Sequence, residues 1–279
     1  MILRSFIFVP ARSEKMVRKA QSFPADGVIL DLEDAVAPQE KENARDLLKN
    51  LFPELNYGHR TVFVRINSLD TPWGREDAQV VKELKPDGIV VPKVRDFRDL
   101  EIVAEVTDEI PLVAMIETPQ AILNLRRIAQ CRKLIGFIFG AADLTGELDM
   151  ELTRFREEMI HFMSDVVTVA KAFKLFVLDT PAFDLSDSEA LEVQAKFARR
   201  MGFDGKTAIH PSQLEIINRI FSPRDEEIDW AKKVKEVFEK AISEGKGVTT
   251  LGREMIERIH YRRAIKILEY AKKIEERGY

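Results

Sequence analysis

The sequence predicts an α/β protein, a (β/α)8 TIM barrel followed by a C-terminal helical arm. Three observations carry this reading. Eight short apolar runs recur at 5–9, 27–30, 61–66, 88–91, 112–116, 137–140, 175–178 and 204–208. Continuous apolar runs of this kind suit parallel strands buried on both faces. Helical patterns fall between most of them, at 14–22, 40–51, 76–84, 99–106, 152–172 and 186–201, which is the alternation of a parallel sheet covered by helices. No G-x-G-x-x-G follows the first run, so an open dinucleotide-binding sheet lacks its fingerprint. The barrel is expected to span residues 1–222 as the catalytic domain. Residues 223–279 form the arm, with a helix, a glycine-containing link at 244–247 and a last helix at about 254–277, and without a strand of its own. Its expected role is in oligomer contacts.

Composition narrows the class. Of 279 residues, 45% are hydrophobic and 32% charged, the balance of a soluble globular chain with a substantial core. A net charge of −4 and a pI near 5.8 give no reason to expect nucleic acid or an anionic membrane surface. No apolar run approaches the length of a membrane span. The single cysteine, Cys131, excludes an internal disulfide framework and fits a reducing cytoplasm. Four scattered histidines offer no zinc spacing.

In a barrel, residues just past each strand's carboxyl end share one cavity. The first run, SFIFV, ends in Pro10, Ala11 and Arg12. The second, GVIL, ends in Asp31, Leu32, Glu33 and Asp34. The third, TVFVRI, supplies Arg65 and Asn67, and the fourth, GIVV, supplies Pro92 and Lys93. The fifth, LVAMI, stops at Glu117. A Thr118-Pro119 helix start follows, with Ile122, Leu125 and Ile128 at core spacing. The sixth passes through Gly140, Ala141 and Ala142 to Asp143; the seventh ends at Asp179 and the eighth at His210-Pro211. Each of these residues has a plainer reading: Asp31 or Glu33 as a turn cap, Lys93 as a partner of a nearby carboxylate, His210 as a loop histidine. The acid-rich set taken together points to chemistry.

Glu117 and Asp143 end neighbouring parallel strands, so both emerge at one edge. Two hard oxygen ligands that leave room for water suit Mg²⁺; the competing reading is two solvated carboxylates. Arg65 has the planar fork that binds a carboxylate, and the small residues Gly140, Ala141 and Ala142 let backbone N–H groups approach an anion. Together they would stabilise an oxyanion or enolate, as carbon–carbon cleavage beside a carbonyl requires. Lys93, close to several acids, is expected to stay protonated, which disfavours Schiff-base chemistry.

The segments RSFIFVPARSEKMVRKA, DGVILDLEDAVAPQEKENAR, VFVRIN, DGIVVPKV, AMIETPQAI, FIFGAADL and MGFDGKTAIHPSQLEIINRIFSP run in order from Arg4 to Pro223. They resemble the citrate lyase β-subunit-like (CitE-like) branch of the HpcH/HpaI aldolase superfamily. The resemblance implies a TIM barrel, assembled as a homotrimer or a multiple of it, with Mg²⁺ and CoA-thioester or acyl-carrier substrates. The implied reaction cleaves a 3-hydroxy-3-carboxyacyl thioester (citryl, citramalyl or malyl) to an acetyl thioester and an α-keto acid such as oxaloacetate, pyruvate or glyoxylate. By motif, Arg65 would hold the keto-acid carboxylate, Glu117 and Asp143 would bind Mg²⁺, and Glu33 and Asp34 would line the pocket. Lys41 and Arg45 are candidates for the thioester's phosphates, with an exposed helix face as the other reading.

One departure stands in the arm. Related enzymes carry G-x-M-I-D, whose aspartate enters a neighbouring subunit's site and handles the proton on the acetyl carbon. Here the segment is LGREMIERIH, with Glu257 in that place. Glu257 is therefore either the longer-armed acid/base or a surface helix residue. The expected activity is a Mg²⁺-dependent lyase; the rivals are malyl-CoA hydrolysis or a malate-synthase-like condensation, and a citryl-lyase subunit that acts only with its carrier.

Overall fold

Strands β1 (Ser5–Pro10), β2 (Gly27–Asp31), β3 (Thr61–Arg65), β4 (Gly88–Val91), β5 (Leu112–Ile116), β6 (Leu134–Phe139), β7 (Phe176–Asp179) and β8 (Gly205–Ala208) close in sequence order into a parallel barrel. This computed structural model describes residues 1–277; the arm's last two positions lie outside the described residues. The helices α1 (Glu14–Ala20), α2 (Lys41–Leu51), α3 (Gly74–Leu84), α4 (Phe97–Thr107), α5 (Pro119–Ile128), α6 (Ala141–Glu147), α7 (Ile160–Ala172), α8 (Ser188–Met201) and α9 (Leu214–Phe221) follow their strands. The expected (β/α)8 barrel is the fold observed.

The side-chain period of two sorts each strand. Phe6, Ile29, Phe63, Val90, Val113, Met115, Ile138, Phe176 and Leu178 pack together inside the barrel. Their alternates Ile7, Leu30, Val64, Val91, Ala114, Phe137 and Val177 pack outward under the helices. Phe63 stacks on both Phe6 (5.3 Å) and Phe176 (6.2 Å), so aromatic rings plug the interior. The next inward position on a strand then falls at the open carboxyl end. That position is Asp31 after Ile29, Arg65 after Phe63, Glu117 after Met115 and Gly140 after Ile138. The barrel core thus sets the heights of the polar groups above it.

Local signals start the helices. The Thr118 side chain accepts the N–H of Ala121 at the head of α5, with Pro119 at the first helical position. Asp96 and Asp99 form a capping box on α4.

A second compact unit begins at Ser222. It holds α10 (Asp225–Ser243), β9 (Val248–Leu251), β10 (Glu254–Glu257) and α11 (Arg258–Glu275). Its core joins Ala231, Val234 and Phe238 of α10 to Ile256 and Ala264. The expectation of an arm without strands is corrected: β9 and β10 form an antiparallel hairpin pairing Leu251 with Glu254. Gly252 leads its two-residue turn at φ 63°, the left-handed conformation such hairpins require. The last helix accordingly begins at Arg258, four residues later than expected.

Candidate functional site

A cavity of about 430 Å³ opens at the carboxyl end of the barrel. Its walls include Asp31, Asp34, Arg65, Glu117, Gly140, Ala142 and Asp143, with Phe8, Met115, Ile138 and Phe183 as apolar surface. Most of the expected site residues are thereby gathered in one place.

Glu117 is the most constrained of them. It is 1% exposed. Its Oε1 accepts the backbone N–H of Lys93 at 2.7 Å, while its buried Oε2 has no hydrogen-bond partner among the described residues. Burial first, and the charge of Asp143 second, push its carboxyl up to about 7, against the Lys93 N–H and the charges of Arg65 and Lys93. Gly140 is the residue that makes this placement feasible. A Cβ there would lie 2.6 Å from both Glu117 Cβ and Oε2, closer than any packed carbon.

Asp143 lies in the first turn of α6, and its Oδ1 accepts from Lys93 Nζ at 3.0 Å. Lys93 also stands 3.8 Å from Glu33 and 4.0 Å from Asp34. Burial lowers its ammonium pKa, but the hydrogen bond to Asp143 and the charges of Glu33, Asp143 and Asp34 outweigh that and raise it overall. The lysine stays protonated, as its surroundings predict. Its backbone has φ 51°, a conformation uncommon for a side-chain-bearing residue and concentrated at functional sites.

Arg65 differs from expectation. Its fork is already engaged: Nε and Nη2 donate to the two carboxylate oxygens of Asp31, each at 2.7 Å. The cause is register, since Asp31 and Arg65 are paired neighbours on β2 and β3. The Nη1 edge faces Glu33 at 2.8 Å, Asp34 at 3.4 Å and Met115 Sδ at 3.7 Å, and the guanidinium lies 4.7 Å over the Phe8 ring. Glu33 is buried, and its Oε2 lacks an aligned hydrogen bond despite that proximity. Burial, aided by Asp34, Glu117 and Asp31 and opposed by Arg65, pushes its carboxyl up to about 8.

The expected anion nest at Gly140, Ala141 and Ala142 is corrected in part. Gly140 N–H donates to Ile116 O at 3.0 Å and Ala141 N–H to Thr180 Oγ1 at 3.3 Å, so two of the three groups are engaged within the protein. Asp179 also leaves the expected set. It is fully buried, held by both Nη atoms of Arg156 (2.8 and 2.9 Å) and by Lys206 Nζ (2.7 Å). Its strand parity turns it outward, under the helices. His210 caps the turn that follows it, its Nδ1 2.8 Å from Ser212 Oγ.

Lys41 and Arg45 fit neither reading given them. Both are buried. Lys41 Nζ donates to the carbonyls of Leu32 (3.0 Å) and Glu33 (2.7 Å), and Arg45 pairs with Asp77 at 3.0 Å and Glu76 at 2.7 Å. Asp77 in turn accepts from Asn67, whose Nδ2 also holds Leu32 O. This polar layer fixes the loop that carries Glu33. Sequence spacing gave no signal of it, because the partners come from three separate elements. Glu257, the last residue of β10 in the second unit, is exposed, and its backbone N–H donates to His260 Nδ1 at 3.0 Å.

The donor set fits a hard cation. A buried carboxylate oxygen without a partner, facing a cavity beside a second carboxylate, is the feature a metal would satisfy. Among the described residues no group of three or more His, Cys, Asp and Glu is gathered into a cage. Two carboxylates leaving positions for water match Mg²⁺ rather than zinc.

A closed parallel barrel whose mouth presents paired carboxylates around an anchored arginine defines an enzyme built to manage negative charge on oxygen. The chain belongs to the HpcH/HpaI aldolase/citrate lyase family, whose model matches residues 4–211, and it is a carbon–carbon lyase by family. It is 41% identical over 260 residues to a (3S)-malyl-CoA thioesterase of Cereibacter sphaeroides, covering 92% of this chain and 90% of that one. It is 30% identical over 266 residues to citrate lyase subunit beta of Escherichia coli, covering 91% and 88%. The crystal structure of CitE from Mycobacterium tuberculosis with magnesium, acetoacetate and coenzyme A superposes with a TM-score of 0.78 at 27% identity, covering 97% of this chain and all of that one.

Proposed function

We propose that this chain is a Mg²⁺-dependent lyase that cleaves a 3-hydroxy-3-carboxyacyl thioester of CoA to an acetyl thioester and an α-keto acid. The observation that carries the reading is the buried, unpartnered Oε2 of Glu117 beside Asp143. The magnesium and coenzyme A in the M. tuberculosis CitE structure support it. Glu117 and Asp143 would hold the ion, which supplies Lewis-acid stabilisation of oxygen charge when bound.

The chain's own groups account for the rest. Asp31 holds Arg65 from behind, leaving the Nη1 edge to exchange its acidic neighbours for the substrate carboxylate. The Phe8, Met115 and Ile138 wall excludes water from the reacting carbons. Glu33 can hold a proton at Oε2 close to neutrality. Cleavage moves the hydroxyl proton to Glu33 Oε2, breaks the bond between the hydroxyl-bearing carbon and the acetyl methylene, and leaves an acetyl-thioester enolate. A carboxylic acid then protonates that carbon. Glu257 from a neighbouring copy is the candidate, in a cytoplasmic homotrimer or a multiple of it, with the arm making oligomer contacts. No helix among the described residues is long and apolar enough to cross a membrane.

A second reading has its own support. The relatives at 41% identity are malyl-CoA thioesterases, so the same site would deliver water to the thioester of malyl-CoA; a malate-synthase-like condensation is a further variant. A carrier-dependent citryl-lyase subunit is the third, suggested by the citrate lyase relative. Product analysis on malyl-CoA and citramalyl-CoA separates them. Acetyl-CoA plus keto acid supports the lyase, free CoA plus malate supports the thioesterase, and silence on CoA esters with turnover of a carrier-bound ester supports the subunit.

A further inference from the structure

We propose that Lys93 is a built-in counter-cation of the metal site: its ammonium occupies Asp143 until the divalent ion displaces it, so that this one side chain sets the site's affinity for magnesium. The proposal rests on the metal-site reading given above. The geometry is specific to residue 93. Its backbone N–H fixes Glu117 Oε1 at 2.7 Å, and its own Nζ lies 3.0 Å from Asp143 Oδ1. A single residue therefore grips both candidate ligands, one through the backbone and one through the side chain. It does so from φ 51°, so the chain maintains an unfavourable conformation to bring the two together.

Charge explains what the ammonium does there. Glu33 and Asp34 stand 3.8 and 4.0 Å from the same Nζ. Arg65 is committed to Asp31 and faces Glu33 on its remaining edge. Lys93 is thus the cation that balances Asp143. It is also movable: its side chain is 32% exposed and Asp143 is 37% exposed, whereas Glu117 is locked. An incoming divalent ion meets the fixed ligand Glu117 and must take Asp143 from the ammonium. The released Nζ remains within reach of Glu33 and Asp34 and keeps their repulsion in check.

The test is magnesium binding by isothermal titration calorimetry to the full-length wild type, K93M, K93Q, K93R and E117Q without substrate. Methionine and glutamine keep the backbone N–H on Glu117 and remove the charge, so both variants should bind roughly tenfold or more tightly than wild type, by the Coulomb repulsion removed at partial exposure. K93R, which keeps the charge, should stay near wild type. Equal or weaker binding by both K93M and K93Q, with wild type binding and E117Q not, overturns the role of Lys93 alone. Binding by E117Q as tight as wild type, or no binding by any variant, overturns the metal site itself and the proposal with it.

Discussion

Gly140 and Glu117 occupy one space: a Cβ at 140 would lie 2.6 Å from both Cβ and Oε2 of the glutamate. The pair follows from the register of β5 and β6, in which Ile116 sits opposite Phe139 and the next residue of each strand meets the other at the rim. G140A should therefore cost about 1–3 kcal/mol by overpacking and displace the carboxylate. Urea unfolding and magnesium calorimetry should show lower stability together with weakened binding. A variant with wild-type magnesium affinity would contradict the placement.

Asp31 acts on the site through Arg65. D31N keeps the shape but removes the charge, and its amide nitrogen cannot accept, so one of the two 2.7 Å hydrogen bonds from Arg65 is lost. Asp34 still faces the guanidinium at 3.4 Å, so the expected loss is about 1.5–3 kcal/mol, the range for hydrogen bonds to charged groups. The fork would then be free to turn, and the affinity for a keto acid, read by calorimetry, should fall while magnesium binding is retained.

Lys41 supports the loop of Glu33 from below. Lys41→Met leaves the Glu33 carbonyl with the Val36 N–H alone, and the Leu32 carbonyl with Asn67 alone. Loss of hydrogen bonds from a charged donor costs about 1.5–3 kcal/mol. Hydrogen exchange should show faster opening confined to the segment around residues 31–36, with the barrel strands still protected.

The Arg156–Asp179–Lys206 cluster predicts a pH dependence. Burial first, and the charge of Arg156 second, push the Lys206 ammonium down to about 7, against the pull of Asp179. Between about pH 7 and its ordinary value of 10.5 the unfolded chain binds a proton that the folded chain does not. Stability from this group therefore rises with pH across that window. K206M leaves Asp179 bidentate on Arg156, so the wild type should gain stability relative to K206M between pH 7 and pH 10 in urea titrations. A constant difference would contradict the assignment.

Much of the site was legible because strand parity and the barrel rule work on local sequence. Glu117 and Asp143 end apolar runs, and the structure places both at the cavity. The commitment of Arg65 to Asp31 was not legible, since it depends on how β2 pairs with β3, which no run of residues states. The burial of Lys41 and Arg45 is hidden for a related reason. K-x-x-x-R on a helix looks solvated until Asp77 and the Leu32 carbonyl are placed against it. The β9–β10 hairpin was hidden because each strand has only four residues and E-M-I-E runs directly into a helix. The cue was Gly252 between two short alternating stretches.

Metal-dependent carbon–carbon cleavage at this site requires Glu117. Acetyl-CoA release from citryl-, citramalyl- and malyl-CoA, measured for wild type and E117Q with Mg²⁺ and with EDTA, tests it most directly. Wild type should release acetyl-CoA from at least one of these esters with Mg²⁺ only, and E117Q should release none. Release that persists in EDTA, or that E117Q matches, would contradict it.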